Sequence, residues 1–247
     1  MRVVLLADVH SNLEALTACL EHARARGFDA LAFVGDLVGY NADPEPVIDL
    51  VAEQAARGAI VVKGNHDAAA VEGPAPNMDP TAAEAIRWTG ERLRDARRRF
   101  VERLPLVAQR DDATFVHASA ASPEAWTYVT DAHRAEESLR AAGTRFVFCG
   151  HVHEPALFTS SAGRAPLRLH VAPGAPFTIA QGSTALVIVG SAGQPRDGNT
   201  AACYALADLA AGSITFFRVP YDWREAARKV RESGLPSRLA RRLEQGR

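Results

Sequence analysis

Apolar residues along this chain fall into short continuous runs separated by stretches with a helical period. Residues 3–7, 30–34 and 59–62 are apolar runs that include β-branched residues, whereas residues 12–26 and 44–57 carry apolar positions three and four apart. That order predicts βαβαβ, with parallel strands joined by crossover helices. Residues 81–103 read as one further helix, with Ile86, Leu93, Phe100 and Leu104 apolar among many charges. Its run Arg97, Arg98, Arg99, interleaved with Glu91, Asp95 and Glu102, is expected on a solvated face. From residue 113 the pattern becomes mainly that of strands, at 113–117, 145–149, 167–171, 185–189, 203–208 and 214–219, interrupted by a helix near 131–142. Ala210-Ala211-Gly212 reads as a hairpin turn, so the second sheet is expected to end in antiparallel strands. A charged helical tail over residues 222–247 closes the chain. No internal repeat, low-complexity segment or long Gly/Ser linker divides it, which predicts one α/β domain over residues 1–247 with two sheets.

Composition narrows the class. With 247 residues, 47% apolar and 23% charged, the chain can bury a large core. Its longest apolar runs last about five residues, far below the roughly 20 that span a bilayer, so no transmembrane helix is expected. The N-terminus enters a strand-like run after a single Arg2 with no small-residue cleavage site behind it, which speaks against a secretory signal. Cys19, Cys149 and Cys203 are odd in number and widely spaced, which suits buried thiols in a reducing compartment. A cytoplasmic location is therefore expected. All but two of the 28 cationic side chains are arginine, yet the formal net charge is −1, so nothing predisposes the chain to a polyanion such as nucleic acid.

The ends of the strand-like runs carry the chemistry. Asp8-Val9-His10 follows the first and Gly35-Asp36 the second. Gly64-Asn65-His66-Asp67 follows the third, His117 ends a later one, and Gly150-His151-Val152-His153 follows Cys149. Carboxyl ends of strands are where α/β sheets present functional groups. The donors are carboxylate, amide and imidazole without thiolate, a mixture suited to Mn²⁺, Fe or Zn²⁺. Alternate residues of an extended segment point the same way, so Asp8 with His10, and His151 with His153, are each expected to offer paired ligands from extended backbone. Glycine before Asp36, Asn65 and His151 fits a backbone conformation or close approach that a side chain would block. Seven ligands exceed one ion and suit two ions sharing a bridging carboxylate.

In this order and at these spacings, the motifs of residues 8–153 resemble the set of the calcineurin-like metallophosphoesterase superfamily. Downstream, Gly190-Ser191-Ala192-Gly193-Gln194-Pro195-Arg196-Asp197-Gly198 resembles the Gly-Ser-Val-Gly-Gln-Pro-Arg motif of its bacterial and archaeal small phosphodiesterase-like branch. The resemblance implies a four-layer αββα sandwich, two mixed β-sheets flanked by helices, with a dinuclear metal centre at one edge. It implies that Asp8, His10 and His153 hold one metal, that Asn65, His117 and His151 hold the other, and that Asp36 bridges both. It gives His66 the catalytic role of binding phosphate or protonating the leaving oxygen. It also implies two divalent or trivalent ions, Mn²⁺ first, with Fe, Zn²⁺ or Ni²⁺ as alternatives, and in-line attack of a metal-bridging hydroxide on phosphorus.

Departures from the wider superfamily matter. Protein serine/threonine phosphatases and symmetric diadenosine tetraphosphate hydrolases carry a phosphate-gripping Arg after Gly-Asp, and here Gly35-Asp36-Leu37-Val38-Gly39-Tyr40 has none. The carboxylate that orients the catalytic histidine in the protein phosphatases is missing too. Arg196 either contacts substrate in its place or braces its loop through Asp197, and Asn12 either caps the first helix or touches phosphate. His22, His133 and His170 match no motif; Cys149 is expected to be a buried strand residue, and Tyr221-Asp222-Trp223 to pack. The expected function is hydrolysis of a small phosphate ester, a phosphodiester or phosphomonoester, nucleotide-like substrates included. An asymmetric dinucleoside polyphosphate hydrolase is the alternative. A non-enzymatic phosphoesterase-like scaffold is disfavoured by the complete ligand set. A homodimer through exposed strands or the tail stays open.

Overall fold

The computed structural model describes residues 1–161 and 164–247. In chain order the first half runs β1 (Arg2–Leu6), α1 (Leu13–Arg24), β2 (Ala30–Val34), α2 (Pro44–Ala56), β3 (Ile60–Val62), α3 (Asn65–Glu72), α4 (Pro80–Arg92) and α5 (Asp95–Glu102). Then follow β4 (Val107–Arg110), β5 (Ala113–Val116), α6 (Ala132–Ala142), β6 (Phe146–Cys149), β7 (Ala156–Ser160), β8 (Leu167–Leu169), β9 (Pro176–Thr178) and β10 (Thr184–Ile188). The hairpin β11 (Ala202–Asp208) and β12 (Ser213–Val219) precedes the tail helices α7 (Trp223–Glu232) and α8 (Ser237–Gln245).

Two mixed six-stranded sheets result, ordered β3-β2-β1-β11-β12-β9 and β4-β5-β6-β10-β7-β8. Strands β1, β2 and β3 are parallel as expected, and β5, β6 and β10 form a second parallel set. Between the sheets, Val3, Leu5, Ala32 and Val34 meet Phe115, Phe146, Phe148 and Val187. The alternate residues Val4, Leu6, Leu31 and Phe33 pack beneath Leu16, Leu20, Val47 and Ile48 of α1 and α2. On the opposite surface Val147, Cys149, Phe158 and Leu186 lie under Ala135 and Leu139 of α6. Covering both faces of each central strand explains why these runs read as continuous rather than alternating. Among the described residues no helix is long and apolar enough to cross a membrane.

Three expectations are corrected. The β11–β12 hairpin joins the first sheet, not the second: β11 pairs antiparallel with β1, opposing Val3 to Ala207 and Leu5 to Ala205. The helix expected over residues 81–103 is two helices, broken where Leu93 turns inward and Asp95 adopts φ 51°. Arg97 is not simply solvated: it reaches Glu45 and Asp49 of α2 at 2.8 Å each, while Arg98 donates to the Val71 carbonyl of α3. Strands β4, β7 and β9 escaped the sequence reading because each is short and either polar at one end or opened by proline.

The tail folds back. Ala226, Ala227 and Val230 of α7 and Leu239, Ala240 and Leu243 of α8 pack with Tyr40, Ala82 and Ala85. Lys229 joins Glu14 and Asp43, at 2.5 and 2.8 Å, tying α7 to the first two crossover helices. This packing brings α8 beside the loop that follows β2.

Candidate metal centre

The carboxyl ends of β1, β2, β3, β5 and β6 gather at one edge of the sandwich, and each is followed by one of the donor motifs. Asp8, His10, Asp36, His66, His117, His151 and His153 are all at most 6% exposed. The paired donors do not come from extended backbone, contrary to expectation. Asp8, His10, Asp36, His151 and His153 lie at φ of 53°, 48°, 52°, 67° and 68°, in the left-handed region. Non-glycine residues held there cost about 1–3 kcal/mol each and need their surroundings to hold them. Backbone bonds provide that hold: Asp8 and His10 N–H donate to the carbonyls of Gly35 and Asp36, and Gly150 N–H to that of His117. Close approach explains two glycines. A Cβ on Gly64 would stand 2.1 Å from Asp36 Oδ1, and one on Gly150 2.6 Å from Asp8 Oδ2.

The donors form two clusters that share one carboxylate, and His66 also lies close to His10 and Asp36 between them. In the first, His10 Nε2 lies 3.2 Å from His153 Nε2 and 3.9 Å from Asp8 Oδ1, and His153 Nε2 is 3.4 Å from Asp8 Oδ1. In the second, His117 Nε2 lies 3.1 Å from Asn65 Oδ1 and 3.2 Å from His151 Nδ1. Asp36 Oδ2 reaches both, 3.6 Å from His10 Nε2 and 3.3 Å from His117 Nε2. Donor separations of this size would suit a cation with bonds about 2.0–2.2 Å long.

The ring tautomers agree with that reading. Nδ1 of His10, His117 and His153 each faces a backbone carbonyl, of Val38, Val34 and Gln194, at 3.1, 2.9 and 2.7 Å. A carbonyl only accepts, so each Nδ1 carries a proton, and a ring with no second proton turns a lone pair on Nε2 toward the cluster. His151 is reversed, offering Nδ1, with the ring of Tyr128 stacked on it at 3.9 Å.

Burial pushes His10 and His153 well below the ordinary imidazole range, and burial with the neighbouring His117 lowers His151 to about 3. These rings are neutral and ready to ligate. His117 differs: burial opposes its charge, but Asp36 and Asp8 hold its proton up to about 9. Burial likewise opposes ionisation of Asp36, yet His117 and His66 keep its carboxyl well below the usual range. Burial, with Asp36 adding and His117 opposing, raises Asp8 to about 7.

Comparison with known proteins decides the family. The calcineurin-like phosphoesterase superfamily domain matches residues 1–212. The chain belongs to this family. An uncharacterized protein of Methanocaldococcus jannaschii is 31% identical over 250 residues, covering 99% of this chain and 98% of that one. The crystal structure of a metallophosphoesterase from Sphaerobacter thermophilus is similar at 34% identity and TM-score 0.86, covering 100% of both chains. A hypothetical protein from Pyrococcus horikoshii shares the fold at 19% identity and TM-score 0.79, covering 100% of this chain and 98% of its own. The family implies divalent metal ions, and the donor chemistry of the two clusters fits them.

Around its clusters this phosphoesterase places the remaining expected residues unevenly. His66 lies in the first turn of α3, its ring edge-on to His10 at 4.8 Å and 4.5 Å from Tyr40, and its Nδ1 is buried without a partner among the described residues. Asp67, the last residue of the Gly64–Asp67 motif, has a role that its sequence position does not reveal. Its carboxylate accepts from the N–H groups of Leu37, Val38 and Gly64 at 2.9, 3.1 and 2.9 Å, locking the Asp36 turn to the start of α3. His66 N–H in turn donates to Asp36 Oδ1 at 2.8 Å. The His66 backbone is thus held by the Asp36 carboxylate, while its ring bonds to no carboxylate among the described residues.

Asn12 caps α1. Its Oδ1 accepts from Ala15 N–H, and its amide donates to the Gly193 carbonyl and the Tyr221 hydroxyl, leaving no side-chain donor over. Arg196 does not brace its loop through Asp197, because Asp197 pairs with Arg218. Arg196 turns instead to Tyr40, its Nη2 3.4 Å from the hydroxyl, and its Nε lacks a partner among the described residues. Arg242 of α8, unsuspected in a tail of many arginines, stands 5.7 Å from the same ring and donates to Gln194 Oε1 at 3.3 Å.

Proposed function

We propose that this chain hydrolyses a small phosphodiester or phosphomonoester with two divalent ions. Asp8, His10 and His153 would hold one ion, Asn65, His117 and His151 the other, and Asp36 both. The observation that carries this reading is the single Asp36 oxygen lying within 3.6 Å of His10 Nε2 and 3.3 Å of His117 Nε2, one in each cluster. Bound ions of this kind supply an acidified water and neutralise charge on phosphoryl oxygens. The chain's own groups do the rest. Arg196 and Arg242 present guanidinium forks suited to phosphate oxygens. His66 binds a phosphoryl oxygen or donates a proton to the leaving oxygen. The buried edge lowers the local dielectric, so these contacts count for more than they would in water.

The test is metal-stripped protein reconstituted with Mn²⁺ and assayed on a phosphomonoester and a bis-aryl phosphodiester, with products separated. Turnover restored by the metal is expected. Protein that binds two ions yet turns over neither substrate would overturn the hydrolase reading, and protein that binds no ion would overturn the centre itself.

A further inference from the structure

A cleft of about 430 Å³ opens beside the second donor cluster, walled by Tyr40, His66, Met78, Trp126, Tyr128 and His151. Its size suits a small ligand group. Its charge is one-sided: among the described residues its only charged lining side chains are Glu72 and Asp79, with no arginine or lysine. The cations nearest the donor clusters, Arg196 and Arg242, gather instead at the Tyr40 ring, 5.8 and 5.7 Å from its centre.

Two aromatic side chains are mounted on the ligand histidines. Tyr128 stacks on His151 at 3.9 Å and 21°, lines the cleft and stays 51% exposed. Trp126 meets His117 edge-on at 6.0 Å from a backbone at φ 52°. A bulky aromatic in the left-handed region is a genuine outlier, and such strain gathers at functional sites.

Resting on the phosphoesterase reading, we infer that this cleft seats the alcohol half of the ester and selects an uncharged, planar aryl-type group. The phosphoryl group would lie toward the donor clusters and Arg196, and the organic group toward Tyr128, Trp126 and Met78. Stacking on Tyr128 and contact with the Met78 thioether favour a flat ring. Glu72 and Asp79 disfavour a leaving group that carries further phosphates or a carboxylate. In hydrolysis the oxygen of water bonds to phosphorus, the bond from phosphorus to the aryl oxygen breaks, and that oxygen takes up a proton as the alcohol leaves.

Phosphonates, whose P–C bond is not hydrolysed, separate binding from chemistry. Titration calorimetry on the Mn²⁺-loaded protein would compare phenylphosphonate, methylphosphonate and 4-carboxyphenylphosphonate. Phenylphosphonate should bind about fivefold to tenfold tighter than methylphosphonate, and the carboxyphenyl compound should lose that advantage. Tyr128→Ala should bring the phenyl-to-methyl ratio to about one, and Tyr128→Phe should restore it, with metal content as the control for folding. Equal affinity for the phenyl and methyl compounds, a ratio unmoved by Tyr128→Ala, or full retention of the carboxyphenyl compound would overturn the inference while leaving the phosphoesterase reading intact. Failure of every phosphonate to bind would overturn both.

Discussion

His10 and His153 present the same nitrogen to each other: their Nε2 atoms lie 3.2 Å apart while each Nδ1 donates to a carbonyl, of Val38 and Gln194. Two lone pairs at that distance repel unless positive charge comes between them. Burial makes a proton a poor choice, since it pushes both imidazoles well below their ordinary range. A divalent cation satisfies the arrangement, with Asp8 and Asp36 supplying the opposing charge.

Asp36 and His66 should separate metal binding from chemistry. Groups that only hydrogen-bond to metal ligands are worth about 10–100-fold in affinity or activity, so Asp36→Ala, removing a shared ligand, should cost more than about 100-fold and empty both positions after dialysis. His66→Ala should retain its metal and lose turnover by about 10²–10⁴-fold, the range of a single general acid. Elemental analysis alongside kcat checks both; metal retained in Asp36→Ala, or lost in His66→Ala, would refute the roles assigned.

Metal affinity should rise with pH. In the metal-free protein His117 holds its proton up to about 9 and Asp8 up to about 7, and both raised values mean that protons compete with the ions below them. Affinity for Mn²⁺ should climb through pH 7 as Asp8 ionises and continue toward pH 9 as His117 gives up its proton. Calorimetry near neutral pH in two buffers of different ionisation enthalpy should show proton release on binding. A pH-independent affinity from 6 to 9 would contradict this.

Arg196 and Arg242 should act on phosphate binding. A charge-assisted hydrogen bond is worth about 1.5–3 kcal/mol, so Arg196→Ala should weaken inhibition by inorganic phosphate about tenfold or more. Arg242→Ala, acting from the tail, should weaken it in the same direction. Arg196→Lys should restore only part of the loss, because a point charge lacks the guanidinium fork. Inhibition constants unchanged in both alanine variants would show that phosphate sits elsewhere.

Asp67 should matter for stability as well as for the site. Asp67→Ala leaves the buried N–H groups of Leu37, Val38 and Gly64 without their acceptor, which should cost about 2–4 kcal/mol in urea unfolding. Loosening the Asp36 turn should also lower Mn²⁺ affinity. Asp67→Asn keeps an acceptor oxygen and should lose much less. A stable Asp67→Ala protein with normal metal affinity would refute the locking role.

Much of the site was legible because each donor motif stands at the end of an apolar run, and a parallel βαβαβ order sends those ends to one edge whatever fills the loops. The first three strands and their crossover helices followed from periodicity alone. What could not be read are features that depend on distant partners. Whether β11 and β12 join the first or second sheet turns on pairing across some 200 residues, between Ala207 and Val3. The break at Leu93 depends on α5 reaching Glu45 and Asp49 through Arg97. That the Asn12 amide reaches Gly193 and Tyr221 is likewise set only by the fold.

By itself the sequence determined the donor types, their order and the strand ends that bear them, because these follow from local composition and short-range period. Only the tertiary structure decided that Asp8, His10, His151 and His153 present their side chains from left-handed backbone. It also brought Arg242 from the last helix to the Tyr40 ring and aromatic rings onto His117 and His151. Those relationships are set by packing between elements far apart in the chain, where side-chain direction and distance depend on the whole core and not on neighbouring residues.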